Sequence, residues 1–238
     1  MLDDIKKLDP VEIVLLGDHL DCGGIFSSHA RSYTNEMTES YDEDVKGANW
    51  LLDGIQRAAP RATTIDYLEG NHEQRVERWA ASTFTSHKDA TNLVGVFGPE
   101  AVLKLAERGI KYYKRSEQYM GISIPGAIKR GKCFFVHGVS AAKHAAHVHL
   151  SLFGASVVFG HVHRSQSAIG RTVTSDALGA WCPGTLAKIQ PLYAHTRPTD
   201  WTHGYAVQFI RPSGRFMHVQ VPIVRGESLL MDVARRVA

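Results

Sequence analysis

The chain has 238 residues, 44% of them hydrophobic, and a formal net charge of +3. That is enough apolar material for one full core, no apolar run is long enough to span a bilayer, and so small a charge neither demands nor excludes a nucleic-acid partner. Cys22, Cys133 and Cys182 are odd in number, far apart and in no C-x-x-C arrangement, which argues against a disulfide framework; with a charged stretch over 1–10 where a signal peptide would be apolar, we expect a cytoplasmic protein.

In chain order, residues 3–10 read as the end of a helix or a linker that delivers the chain into a first strand over 11–16 (VEIVLL). That run breaks at Gly17-Asp18-His19-Leu20-Asp21. A long polar loop over 22–44 follows and is a candidate substrate lid. Val45, Ala48, Leu51, Leu52, Ile55 and Ala58 keep helical spacing and stop before Pro60. They return the chain to a second run over 63–68 (TTIDYL), a βαβ unit that implies parallel strands. The second run ends in Glu69-Gly70-Asn71-His72-Glu73, and a helix beginning near Asn71 would hold His72 and Glu73 in its first turn.

Pro99 to Glu107 predicts a helix with Pro near its start and Gly109 just past its end. Residues 111–128 are basic and aromatic, then broken by Gly and Pro, and predict one or two edge strands. A third run, 132–136 (KCFFV), ends in His137-Gly138. A helix over 140–153 closes at Gly154 and leads to the fourth run, which ends in Phe159-Gly160-His161-Val162-His163. Beyond it, 165–169, a Gly170-Arg171 turn and 172 onward predict one antiparallel hairpin. The runs 205–210 and 216–223, around Arg211-Pro212-Ser213-Gly214-Arg215, predict another, and 227–237 a terminal helix. An α/β fold of two sheets packed face to face, with helices outside, satisfies both the alternating first part and the β-rich last part. We expect one domain over 1–238.

Four short runs thus end in Asp, Asn or His, and open α/β sheets place their ligands just beyond the carboxyl ends of their strands. The expectation is one shared cation pocket. Asp18, Asn71, His137, His161 and His163 make a mixed oxygen and nitrogen donor set, which suits Mn, Fe, Zn or Co. Asp18 is the carboxylate best placed to lie between two ions. Such a pair activates a bridging water and clamps the oxygens of an in-line displacement, for which phosphate-ester hydrolysis is the natural reaction.

Gly17-Asp18-x-x-Asp21, Gly70-Asn71-His72-Glu73, His137-Gly138 and Gly160-His161-x-His163, in this order over roughly 11–165, resemble the calcineurin-like metallophosphoesterases. Pro183-Gly184-Thr185-Leu186 and Trp201-x-x-Gly204-Tyr205 look like members common in bacteriophage and bacterial genomes. The resemblance implies a four-layer αββα sandwich and up to two divalent ions, Mn foremost, with Fe, Zn, Co, Mg or Ni as alternatives. It implies hydrolysis of a phosphomonoester or phosphodiester by a metal-activated hydroxide. By position, Asp18 would bridge the metals, Asn71, His137 and His161 would complete one, and His163 would bind the other. His72 would protonate the leaving oxygen or stabilise the transition state, and Asp21 would orient one of the metal-ligating histidines without touching the metal, or be an ordinary turn carboxylate.

The family opens with a strand ending in Asp-x-His, and no Asp-x-His precedes Gly17 here. Three explanations stand: a start that lies upstream of Met1, a variant that holds its second metal loosely, and an inactive relative kept as a metal- or partner-binding module. We favour the first, because 3–8 reads like the helix that follows the missing strand, so the first strand is expected to be absent from this chain. Nucleotides, nucleic-acid ends and phosphoproteins are all candidate substrates, with Lys111, Lys114, Arg115, Lys129 and Arg130 as candidate lining of a basic groove. No membrane partner is expected, and the oligomeric state is open.

The remaining candidates have plainer expectations. Glu73 reads as a helix-start carboxylate favoured by the dipole. His19 and His29 would face substrate or fill the depleted metal position, and Arg164 would contact phosphate or, by default, be solvated or paired. His144, His147 and His149 read as surface or packing residues, Arg75 and Arg78 as exposed and paired arginines, and Trp181 and Trp201 as core or rim.

Overall fold

The computed structural model describes residues 1–23, 40–173, 176–191, 198–228 and 230. It is a mixed α/β structure in which the chain forms two compact units, one over Asp4–Arg115, joined by Leu2, and one over Ser116–Ala238.

In the N-terminal unit, α1 (Leu2–Leu8) leads into β1 (Glu12–Leu15). α2 (Tyr41–Ala58) starts with Asp42, Glu43 and Asp44, acids that the positive end of the helix dipole favours. It therefore begins earlier than the apolar spacing suggests, and the polar loop ends by Ser40; the rest of that candidate lid, 24–39, lies outside the described residues. The helix stops before Pro60, whose ring disfavours a helical predecessor. β2 (Thr64–Leu68) pairs parallel to β1, and, after three helices, β3 (Ile110–Tyr113) pairs parallel to β2 at the sheet edge. Leu15, Leu52, Ile55, Tyr67, Val76, Leu103 and Ile110 share one buried core.

The three intervening helices correct the sequence reading. α3 (Gln74–Thr83) begins after Glu73, so His72 and Glu73 sit in the turn that precedes it and not in its first turn. α4 (His87–Phe97) is unexpected: no residue of it is fully buried, its apolar positions Ala90, Leu93, Val94 and Phe97 start only after a polar first turn, and the Ser86 side chain caps it by accepting the Asp89 N–H at 3.5 Å. α5 covers only Pro99–Val102, because Lys104 adopts a left-handed φ of 51° and sends the chain into turns.

In the C-terminal unit, β4 (Ile128–Arg130), β5 (Cys133–Val136), β6 (Ser156–Phe159), β7 (Ser165–Arg171) and β8 (Ala177–Pro183) make a five-stranded sheet of order β4-β5-β6-β8-β7. β5, β6 and β8 run parallel, with antiparallel edges. All four positions of β6 are buried, as its unbroken Val-Val-Phe run requires of a strand covered on both faces. α6 (Ala145–Phe153) begins five residues later than expected and closes at Gly154. Gly170-Arg171 is not the hairpin turn: both residues pair within the sheet, opposite Leu178 and Ala177, and the missing Cβ of Gly170 makes room for Leu150 of α6.

β9 (Gly204–Ile210) and β10 (Phe216–Pro222) form the second expected hairpin. It packs on β8, with the His218 ring stacked on Trp181 at 4.5 Å. Val136, Val157, Phe159, Val162, Ala168 and Cys182 form a separate core. Glu227 makes an isolated bridge with Val224 in place of starting a helix, and most of the remaining tail lies outside the described residues. No helix among the described residues is long and apolar enough to cross a membrane.

Candidate functional site

Parallel pairing of β1 and β2 brings their carboxyl ends side by side, and the loops that follow interlock. A Cβ at Gly70 would lie 2.0 Å from Asp18 Oδ1 and 2.5 Å from the Asp18 nitrogen, so only glycine fits there. Asp18 itself has a left-handed φ of 58°, and its Oδ1 accepts the His72 N–H at 3.0 Å. Asn71 sits in the turn between them, at the carboxyl end of β2.

The group that holds these loops is Glu73. Its buried carboxylate accepts five hydrogen bonds: from the backbone of Asp18 (2.9 Å), His19 (2.8 Å), Leu20 (3.1 Å) and Gly70 (2.9 Å), and from the Tyr67 hydroxyl (2.7 Å). Glu73 does stand at the start of α3, as its N-cap residue, but its side chain makes no cap hydrogen bond there and is held by these five donors. The available signal was periodicity: Glu73 shares an i, i+3, i+7 stripe with the buried Val76 and Ala80. Glu69 does related work toward β3, accepting the Tyr112 hydroxyl at 2.9 Å and the Arg115 N–H at 2.8 Å; burial raises its pKa despite those bonds.

Asp21 pairs with His72, the catalytic candidate, and not with one of the expected ligand histidines: its Oδ1 lies 2.6 Å from His72 Nδ1. Arg75, expected to be exposed, is buried against the same pair, while Arg78 is exposed as expected. Arg75 Nη1 donates to the Asp21 carbonyl at 2.9 Å, and Nη2 lies 3.2 Å from His72 Nε2. A guanidinium only donates, so Nε2 accepts, and the neutral ring carries its proton on Nδ1, facing Asp21. Burial opposes charge on His72, but the hydrogen bond to Asp21 and the nearby Asp18 carboxylate outweigh burial and Arg75, and its pKa rises. Asp21 is likewise pushed up by burial, but the His72 bond and charge, with Arg75, bring it below the ordinary value. His72 Nε2 lies 3.8 Å from Asp18 Oδ2. His19 turns its ring edge onto Tyr67 at 5.4 Å, and His29 lies outside the described residues.

In the C-terminal unit, parallel β5 and β6 align two more loops. The Gly160 N–H donates to the His137 carbonyl at 2.7 Å. Gly138 has a φ of 136°, and a Cβ there would lie 2.8 Å from His161 Cβ. This close approach sets the His137 and His161 rings 5.1 Å apart, edge to face, with His137 buried. His163 packs on Trp201 at 4.2 Å. His161 and His163 have left-handed φ values of 70° and 57°. Such conformations cost about 1–3 kcal/mol each in a non-glycine residue and gather where function requires them.

The other candidates settle plainly. Arg164 pairs with Asp200 at 3.4 Å and donates to the Ala142 carbonyl. His144 and His147 are exposed, whereas His149 is fully buried. Lys114 lies 3.8 Å from Glu100, and Lys129 rides over the Phe134 ring at 5.0 Å. The N-terminal unit therefore brings together Asp18, Asp21 and His72, with Asn71 beside them in the chain, and the C-terminal unit brings together His137 and His161. Compared with known proteins, the chain matches no family model, no curated protein and no solved structure.

Proposed function

We propose that this chain is a metal-dependent phosphoesterase of the calcineurin-like kind, hydrolysing a phosphomonoester or phosphodiester. The observation that carries the reading is the cluster of Asp18, Asp21 and His72: a carboxylate on a left-handed backbone, 3.8 Å from an imidazole that a second carboxylate orients. A divalent metal, Mn foremost, would take oxygen donors from Asp18 and Asn71 and nitrogen donors from His137, His161 and His163. The donor chemistry fits such an ion: the set is oxygen and nitrogen only, and Cys22, Cys133 and Cys182 are buried, with burial pushing each thiol up so that none is offered as a thiolate. Bound there, the metal would supply Lewis acidity and an acidified water.

The chain's own residues do the rest. Asp21 holds the His72 ring through Nδ1, which leaves Nε2 as the atom that carries the mobile proton. The elevated pKa keeps a protonated fraction available near neutrality, so His72 can hand a proton to the departing oxygen. Buried Arg75, with its guanidinium against Nε2, limits that fraction and presents positive charge to a phosphate. In this reading the sheets form the inner layers of an αββα sandwich, and the free cysteines fit the reducing cytoplasm. Nucleic-acid ends, nucleotides and phosphoproteins all remain substrate classes for it.

The test is turnover of aryl phosphate mono- and diesters with added Mn²⁺. His72→Ala should lose on the order of 10²–10⁴ in kcat, and Asp18→Ala should lose both activity and metal. Activity untouched by either substitution would sink the mechanism. Metal binding without any turnover would favour a non-catalytic module.

A further inference from the structure

His149 is the one histidine of α6 that turns fully inward. Its Nε2 lies 3.0 Å from the Val139 backbone nitrogen, two residues beyond His137. A backbone N–H can only donate, so Nε2 is the acceptor, and the ring proton sits on Nδ1, donated to the Ala145 carbonyl at 2.7 Å. The ring also lies flat on Phe159, centroids 3.8 Å apart and planes within 8°. Phe159 ends β6, directly before Gly160-His161.

We infer that His149 is a positioning residue for both imidazole-bearing loops of the C-terminal unit, holding the His137 loop through the Val139 N–H and the His161 loop through Phe159. The inference rests on the metal reading above, because it gives those two imidazoles their purpose. Packing alone does not account for the residue. A buried imidazole costs desolvation that a Leu or Phe would not, and the cost is offset only because both ring nitrogens find partners. The Val139 N–H takes this partner where the strand ladder has ended, directly after Gly138 at φ 136°. α6 is itself fixed at its start, where the Ala146 N–H donates to Gln166 and the Lys143 carbonyl accepts from it. The imidazole is thus carried on a rigid base. Burial lowers its pKa, partly offset by the Ala145 bond, which keeps Nε2 an acceptor.

The experiment is calorimetric titration of the full chain with MnCl₂, alongside thermal melts, for wild type, His149→Phe and His149→Gln. Phe keeps the stack and fills the volume but accepts nothing; Gln restores an acceptor near the Nε2 position. Folded His149→Phe should bind Mn²⁺ on the order of 10- to 100-fold more weakly, and Gln should recover most of that loss. A purely structural role would lower the melting temperature and leave the affinity of the folded protein alone. Wild type that binds no Mn²⁺ overturns the metal reading and this inference with it. Wild type that binds, with His149→Phe binding equally well, overturns the positioning role and leaves the metal reading standing. Should His149→Phe not fold, the ring ¹⁵N shifts of wild type decide: protonated Nδ1 with bare Nε2 supports the role, and the opposite tautomer overturns it.

Discussion

The two units hold their loops at the strand ends with opposite chemistry. In the N-terminal unit one buried carboxylate, Glu73, takes five donors and binds both loops into a single knot. In the C-terminal unit one buried neutral ring, His149, takes a single N–H, gives a single N–H and relies on a stacked Phe159 for the rest. A carboxylate with four lone-pair directions can organise many backbone groups at once, and nothing neutral of its size can. The first knot should therefore fail as a whole when its centre is changed. The second should loosen by degrees.

Glu73→Ala gives the largest expected effect. It strands four backbone N–H groups and a tyrosine hydroxyl in a dry interior, and we expect a loss of about 3–5 kcal/mol in urea unfolding. Glu73→Gln should be nearly as costly, because its NH₂ would face donors. A loss under about 1 kcal/mol for both variants would break the contrast between the units.

The paired glycines sharpen it. Gly70→Ala drives a Cβ into the Asp18 carboxylate and backbone, whereas Gly138→Ala meets one side-chain carbon at 2.8 Å on a strained backbone. Each should cost about 1–3 kcal/mol, with Gly70→Ala the worse of the two. The reverse order would mean that the Asp18 loop yields more readily than its hydrogen bonds imply. Arg108→Lys is a smaller probe of the N-terminal unit. The guanidinium donates to the Leu103 carbonyl, Asp53, Gln56 and Asn49, tying α2 to the turns before β3. A lysine ammonium cannot span that fork, and a loss of about 1–2 kcal/mol is expected in the same unfolding measurement.

What the sequence made legible follows from how local each signal is. The four runs ending at Gly17, Glu69, His137 and Gly160 were readable because buried parallel strands are dense in β-branched and aromatic residues and end abruptly at polar turns. α4 was not readable, because its first turn is polar and its apolar positions, Ala90, Leu93, Val94 and Phe97, fill only two turns. Asp18, Asp21 and His72 are legible in the sequence only as separate candidates, and the 2.6 Å hydrogen bond between His72 and Asp21 brings two of them together. Glu73, Arg75 and His149 were undervalued for one shared reason. A charged or polar residue reads as surface until its partners are known, and for each of these three at least one partner is a backbone group 10 to 55 positions away.

The smallest effect concerns acid, and it isolates the C-terminal unit. His218 stacks on Trp181, its Nδ1 accepts from Gln208 at 3.1 Å, and burial pushes its pKa down to about 4. The folded state thus refuses a proton that the unfolded chain accepts below its ordinary value near 6.5. Stability from this group is whole above that value and is lost as pH falls toward about 4. For a half-buried ring, the deficit near pH 5.5 should be about 1 kcal/mol. His149, also depressed by burial, adds to the loss with the same sign. His218→Asn keeps an acceptor for Gln208 and removes the titration, so its unfolding free energy should fall less steeply between pH 7 and pH 5 than that of wild type. Parallel pH curves for the two proteins would show that the ring is already open to water and that the hairpin of β9 and β10 seals β8 less tightly than the stack on Trp181 implies.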